Sequence, residues 1–154
     1  MQIDWDPEID TPATIAVIGA GPVGVEAALY ARFLGYSVLL FDSRRVGHRQ
    51  LAWGDLRLEQ TWSELTSPLG LAALAAQGTD QDMPSSRLSN GDLSDPSAHV
   101  SYRQYVEKYL IPVARTDLLY ESVQVNSPVI SISRTSCGGD ATIANERRAE
   151  QEFR

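Results

Sequence analysis

"TIAVIGAGPVGVEAALYARFLGYSVLLFDSRR", residues 14–45, sets three glycines, Gly19, Gly21 and Gly24, between a run of small β-branched residues and an alanine-rich segment. Glycine brings no side chain, so the reason for the pattern lies in the backbone. Thr14–Ile18 is apolar without alternation, the signature of a strand buried on both faces of a parallel sheet. Val23, Ala27, Ala28, Ala31 and Leu34 then fall at helical spacing and leave Glu26 and Arg32 on the other side. Gly35 suits the left-handed cap that ends a helix. Ser37 to Asp42 reads as a second buried strand, and the short link completes a right-handed β-α-β unit with parallel strands.

A glycine-rich first turn in such a unit has a physical reason at each position. Gly19 lets the chain turn sharply out of the strand, Gly21 lets backbone approach a pyrophosphate, and Gly24 lets the helix pack tightly on the strand. The unpaired N–H groups of the helix start, with its dipole, then face negative phosphates. Pro22 sits where a first-turn proline is tolerated. Asp42 ends the second strand 23 residues after Gly19, near the ~20-residue offset at which a carboxylate accepts hydrogen bonds from a ribose hydroxyl. The candidate cofactor-binding residues are Gly19, Ala20, Gly21, Pro22, Val23, Gly24, Asp42 and Ser43. Arg44 and Arg45 follow the acid and either meet a 2′-phosphate or flank the adenosine end. Retention of Asp42 favours the second, because a 2′-phosphate would put two negative groups close together. The expected nucleotide is therefore FAD or NAD rather than NADP.

Farther along, "LAWGDLRLEQTW" is irregular or contains a brief strand, and Leu69–Gln77 forms a short helix. Residues 77–98, crowded with Gly, Pro, Asn, Asp and Ser, read as a mobile loop. A helix is expected from Ala98 to Ile111, with Tyr102, Tyr105, Val106, Tyr109 and Leu110 as one apolar stripe, and Pro112 should kink or end it. Leu118–Val125 carries a third strand pattern and Val129–Ser133 a fourth, separated by the turn residues "NSP". Residues 135–154 are polar and read as a disordered tail.

With those residues in view, "VIGAGPVGVEAALYARFLGYSVLLFD" followed by arginines and Gly47 resembles the FAD-binding start of the two-dinucleotide-binding-domain flavoproteins, which include disulfide reductases and flavin monooxygenases. Most of that group have Glu where Asp42 stands and a Gly-Gly pair where only Gly47 is present. "SYRQYVEKYLIPVARTDLLYESVQVNSPVISISR" resembles the returning helix, third parallel strand and first meander strand of the same pattern. Together with "LAWGDLRLEQTWSELTSPLG" it resembles a group of bacterial FAD-dependent oxidoreductases. The resemblance implies backbone contact with adenine at the start of the meander, which adds Val129 to the candidate residues. It also implies a second nucleotide domain for NAD(P)H, so that this chain looks like an N-terminal piece, not catalytically complete alone, with an apolar face for the missing domain or for self-association.

The fold expectation is thus a Rossmann-like three-layer α/β domain over residues 1–134, parallel strand order 3-2-1, with the start of a β-meander. A formal charge of −7, from thirteen Lys and Arg against twenty Asp and Glu, argues against nucleic acid and anionic lipid as partners. The single Cys137 excludes an internal disulfide, a Cys-x-x-Cys pair and any multi-cysteine zinc site, and no metal site is expected. "MQIDWDPEID" lacks the basic and apolar regions of a secretory signal, and no run approaches the ~20 apolar residues of a membrane span, so the expected location is cytoplasmic. His48 and His99 read as surface histidines, Trp53 and Trp62 as packing residues, and Ser63, Ser67 and Ser85 lack a neighbouring base, which leaves the catalytic residues unassigned. Two rival readings stay open: an NAD-binding dehydrogenase fragment, and a non-catalytic nucleotide-binding or interaction module.

Overall fold

The computed structural model describes residues 13–77, 96–134, 141–145 and 148–153. Cys137, Ser85 and most of the expected loop at 77–98 lie outside them. Strand β1 (Thr14–Ile18) leads into helix α1 (Pro22–Phe33) and strand β2 (Ser37–Phe41). The two strands pair in parallel from Thr14 against Ser37 to Ile18 against Phe41. Strand β5 (Val123–Gln124) pairs in parallel on the far side of β2, through Leu40 with Val123 and Phe41 with Gln124. Counted by sequence, the parallel strands lie in the order third, second, first, and the fold is Rossmann-like α/β, partly incomplete.

Five expectations need correction. In α1 the buried residues are Val25, Ala28, Leu29 and Ala31, whereas Val23, Ala27 and Leu34 are exposed. The helix carries apolar residues all round, so periodicity alone could not fix its rotation; the close approach at Gly24 turns the Val25 side inward. The helix expected from Ala98 begins at Tyr102, because His99–Ser101 is strand β4, paired antiparallel with β3 (Arg57–Thr61). Ser101 caps the new start: its Oγ accepts from Gln104 N–H at 3.2 Å, and its own N–H donates to Gln104 Oε1 at 2.9 Å.

Pro112 does not end that helix. The column runs through α5 (Tyr102–Tyr105), a π-helical segment (Val106–Leu110) and α6 (Ile111–Ala114). Proline has no N–H to return to the preceding turn, and its ring crowds the carbonyl four residues back. The wider π turn relieves this, with Ile111 N–H donating to Val106 O, five residues back. The third strand is also shorter than expected, since Leu118–Ser122 continues in tight turns: Leu119 and Tyr120 N–H both donate to Thr116 O, at 3.0 and 2.8 Å.

The meander reaches past residue 134. Strand β6 (Val129–Arg134) pairs antiparallel with β7 (Ala141–Asn145), and β7 with β8 (Arg148–Phe153). Residues read as a polar tail thus include two strands, held by backbone ladder bonds that a hydrophobicity pattern does not register.

The core joins the β-α-β unit to the later helices. Val25, Leu29 and Leu40 from the β-α-β unit pack in one cluster with Trp62, Tyr109 and Leu119. Trp62, which opens α3 (Trp62–Leu65), meets Tyr105 and Tyr109 edge-on at 6.4 and 6.2 Å. Before α3, Thr61 N–H and Oγ1 both donate to Glu64 Oε2, at 2.7 and 2.8 Å, and hold that carboxyl below its ordinary range. Helix α4 (Pro68–Ala76) begins on Ser67, whose Oγ accepts from Gly70 N–H at 2.8 Å.

Candidate functional site

The three glycines do different work. Gly19 has φ +101°, a backbone conformation that side chains disfavour, and its N–H extends the sheet ladder to Phe41 O at 2.7 Å. Gly24 lies against β1: an added Cβ would run into the Gly19 carbonyl oxygen and come 3.6 Å from Val17 Cγ1. Gly21 is under neither constraint. Its φ of −83° and ψ of −175° suit any residue, and an added Cβ would meet only the Gln50 side-chain amide, at 3.8 and 3.9 Å. The protein itself thus gives no reason for glycine at 21, and the space its missing side chain leaves belongs to a cleft.

Asp42 fixes that turn. Its Oδ2 accepts from Ala20 N–H at 2.8 Å and its Oδ1 from Arg44 N–H at 2.8 Å. Its own N–H donates to Gln124 O at 2.9 Å, while its carbonyl accepts from Ser127 N–H at 2.8 Å. Asp42, just past the end of β2, therefore ties the glycine turn to the following loop through its side chain and holds the turn into β6 through its backbone. Gly47 adds a second tie: its φ is +66°, and its N–H donates to Ala20 O at 2.9 Å. Immediately after it, α2 (His48–Leu51) is packed against α5.

Of the residues the sequence singles out, Gly19, Gly21, Pro22, Val23 and Gly24 line one cleft of about 980 Å³. Asp42, Ser43 and Val129 line the same cleft from the other strand ends. Ala20 does not; it is buried in the core and takes part through its backbone. Arg44, which the sequence already set beside the acid, lines it too, while sequence reasoning missed another part of the wall: His48, Arg49 and Gln50. The left-handed turn at Gly47 brings α2 back over the glycines, and Gly47 without a second glycine was the signal available. Against one carboxylate, Asp42, the wall carries two guanidinium groups and an imidazole, so this opening is cationic in a chain whose formal charge is −7.

Other candidates lie elsewhere. His99 is on β4, Trp62 is in the core, and Trp53 stacks on Tyr102 at 5.8 Å. Ser67 Oγ donates to Glu26 Oε2 at 2.7 Å with no histidine at hand, which leaves it a brace. Among the described residues no group of His, Cys, Asp and Glu could hold a metal ion, and no helix is long and apolar enough to cross a membrane.

Comparison with solved structures finds this fold in a bacillithiol disulfide reductase from Staphylococcus aureus, at a TM-score of 0.60 and 16% identity over 91% of this chain and 36% of that one. It finds it also in an oxidized steroid monooxygenase bound to NADP, at 0.62 and 18% over 91% of this chain and 24% of that one. A third is OTEMO in complex with FAD and NADP, at 0.64 and 14% over 93% and 24%. These identities speak to the fold alone. Among curated proteins, lysine-specific histone demethylase 1 homolog 3 of Arabidopsis thaliana is 34% identical over 94 residues, 60% of this chain and 5% of that protein. The chain thus spans a small part of each of these relatives. The expected flavoprotein group is matched at the level of fold, while the family assignment comes from elsewhere: the profile of the alanine dehydrogenase/PNT, C-terminal domain matches residues 7–94, more than half of the sequence. By that match, over the β-α-β unit and beyond, the chain belongs to the alanine dehydrogenase/PNT C-terminal domain family.

Proposed function

We propose that this chain binds the ADP half of a dinucleotide, FAD in the first reading, as the nucleotide-binding part of an oxidoreductase. The observation that carries the proposal is Gly21. It lies at the start of a 12-residue helix, in a conformation open to any residue and with no crowding neighbour, where a side chain would take up space in the cleft. Around it, the N–H groups of the first turn of α1 have no partners within the helix, and a diphosphate supplies acceptors for them. A carboxylate has about four lone-pair sites, so Asp42 can hold Ala20 and Arg44 and still accept from ribose hydroxyls. Val129, at the first residue of β6, offers backbone to adenine. FAD, when bound, supplies the hydride acceptor, and the residues of this chain bind and orient it.

The alanine dehydrogenase/PNT match favours a second reading, in which the dinucleotide is NAD. The two separate on purification and titration: a bound yellow chromophore released on denaturation supports FAD, while a colourless protein that binds NAD supports the alternative. The shared claim is tested by Gly21→Val. Calorimetric titration with ADP-ribose should show at least a tenfold loss of affinity with an unchanged unfolding midpoint. Undiminished binding by the variant refutes the phosphate-cradle reading for either nucleotide.

A further inference from the structure

The cleft wall holds one polar contact that serves no fold element. Arg44 Nη1 lies 3.1 Å from His48 Nε2, on side chains that both line the cleft. A guanidinium can only donate, so in this contact Nε2 is the nitrogen that accepts. We propose that Arg44 and His48 form a phosphate-accepting pair in the cleft wall, and that a ligand phosphate bound there draws a proton onto His48. The inference rests on the dinucleotide reading above.

Both residues are anchored by backbone. Arg44 N–H is held by Asp42 and its carbonyl accepts from Asn126 N–H at 2.8 Å. His48 follows Gly47, whose N–H is bonded to Ala20 O and whose added Cβ would approach Val106 Cγ1 to 2.6 Å, so the start of α2 is seated between the glycine turn and the π-helical segment. The pair is therefore carried at a fixed place beside the turn, with its charged ends at the surface.

A phosphate oxygen is a stronger acceptor for a guanidinium than an imidazole lone pair, because the bond joins opposite charges. Once the phosphate takes Arg44, His48 Nε2 loses its donor while standing beside an anion. Uptake of a proton from solvent turns Nε2 into a second charged donor to the same phosphate. Without the anion, protonation would set two cations in contact. The other charged groups on the surrounding elements are Asp42, whose oxygens accept backbone N–H bonds, Arg45 and Arg49, Glu107 and Lys108 on the π-helical segment, and Arg103 on α5, paired with Asp55 at 3.0 Å.

The accepting phosphate could belong to the diphosphate or sit on the ribose, and the ligands chosen distinguish these. Calorimetry with the whole chain would compare adenosine, ADP-ribose and 2′-phospho-ADP-ribose at about pH 8 and about pH 5.5, which spans the range where an imidazole changes charge. Buffers of different ionisation enthalpy would count protons. The diphosphate of ADP-ribose keeps its charge throughout, so proton uptake with that ligand comes from the protein. Binding of ADP-ribose about five- to tenfold tighter at the lower pH, with proton uptake, is expected if the diphosphate meets the pair. If the ribose phosphate does, the gain appears with 2′-phospho-ADP-ribose alone, as the excess over the same titration of His48→Gln, because a phosphate monoester itself takes up a proton in this range. Adenosine should bind equally at both values, and His48→Gln, which keeps an acceptor for Arg44 and cannot titrate, should remove the histidine-linked uptake. A pH dependence identical in the wild type and His48→Gln for both phosphorylated ligands overturns this pair while leaving the dinucleotide reading intact. Failure of ADP-ribose to bind at either pH overturns both.

Discussion

Gly21 and Gly24 stand three residues apart and answer to opposite demands. The first leaves room beside the cleft, and the second removes a collision between helix and strand. Gly24→Ala should therefore act on folding first: its methyl group overlaps a backbone oxygen that cannot rotate away, and the helix must lift from β1. A loss of about 2–4 kcal/mol is expected by denaturant unfolding; an unchanged midpoint would show that the helix–strand approach is not tight. Both glycines were legible because backbone needs are written in residue type. His48 was not, since an imidazole in a polar stretch looks the same in sequence whether it meets bulk water or a cleft wall. Its place depends on the left-handed turn at Gly47 and on Val106, 58 positions later.

Between elements, α1 is tied to the π-helical segment by a closed set of hydrogen bonds. Tyr109 donates to Glu26 Oε1 at 2.5 Å and accepts from Ser67 N–H at 2.9 Å, and Gly70 leaves the room that the phenol oxygen occupies. Burial, reinforced by the Glu26 bond, pushes the Tyr109 hydroxyl up to about 12, and burial raises Tyr105 as well. An unfolded tyrosine ionises near 10. Folding thus favours the neutral phenol: its stabilisation is complete below about pH 10 and is lost as pH rises through about 12. Tyr109→Phe should lower stability at neutral pH by about 1–3 kcal/mol, since Ser67 N–H loses its acceptor, and should flatten the alkaline decline. Urea unfolding at pH 7, 10 and 11.5 reads both effects; an identical alkaline slope in the variant would assign the titration elsewhere. In sequence, the tyrosine spacing placed Tyr105, Val106, Tyr109 and Leu110 in one buried stripe but counted Tyr102 with them, which is half-buried and stacks on Trp53, and the π turn that aims Tyr109 arises from a proline three residues beyond that tyrosine. Helix α1 was located correctly yet turned the wrong way, because an alanine-rich helix offers several equally apolar sides.

Across the whole molecule, the pairing of β1 with β2 followed from the β-α-β pattern and the place of the third parallel strand from the resemblance, whereas the second half of the meander followed from neither, since β7 and β8 are specified by pairing. The rotation of α1 leaves Val23 82%, Tyr30 57% and Leu34 50% exposed on one side of the helix. Neighbouring apolar side chains left in water on one helix side form a surface that a second copy can cover. Sedimentation velocity should show association that strengthens with concentration and is abolished by Tyr30→Lys with Leu34→Lys; a monomer at all concentrations would rule out this face as the contact. The sheet adds a second opening. Among the described residues nothing pairs with the outer side of β1, a strand with neither charge nor proline to discourage company. Wherever that unhemmed rim meets a second copy, its unmatched backbone groups offer a place to add on.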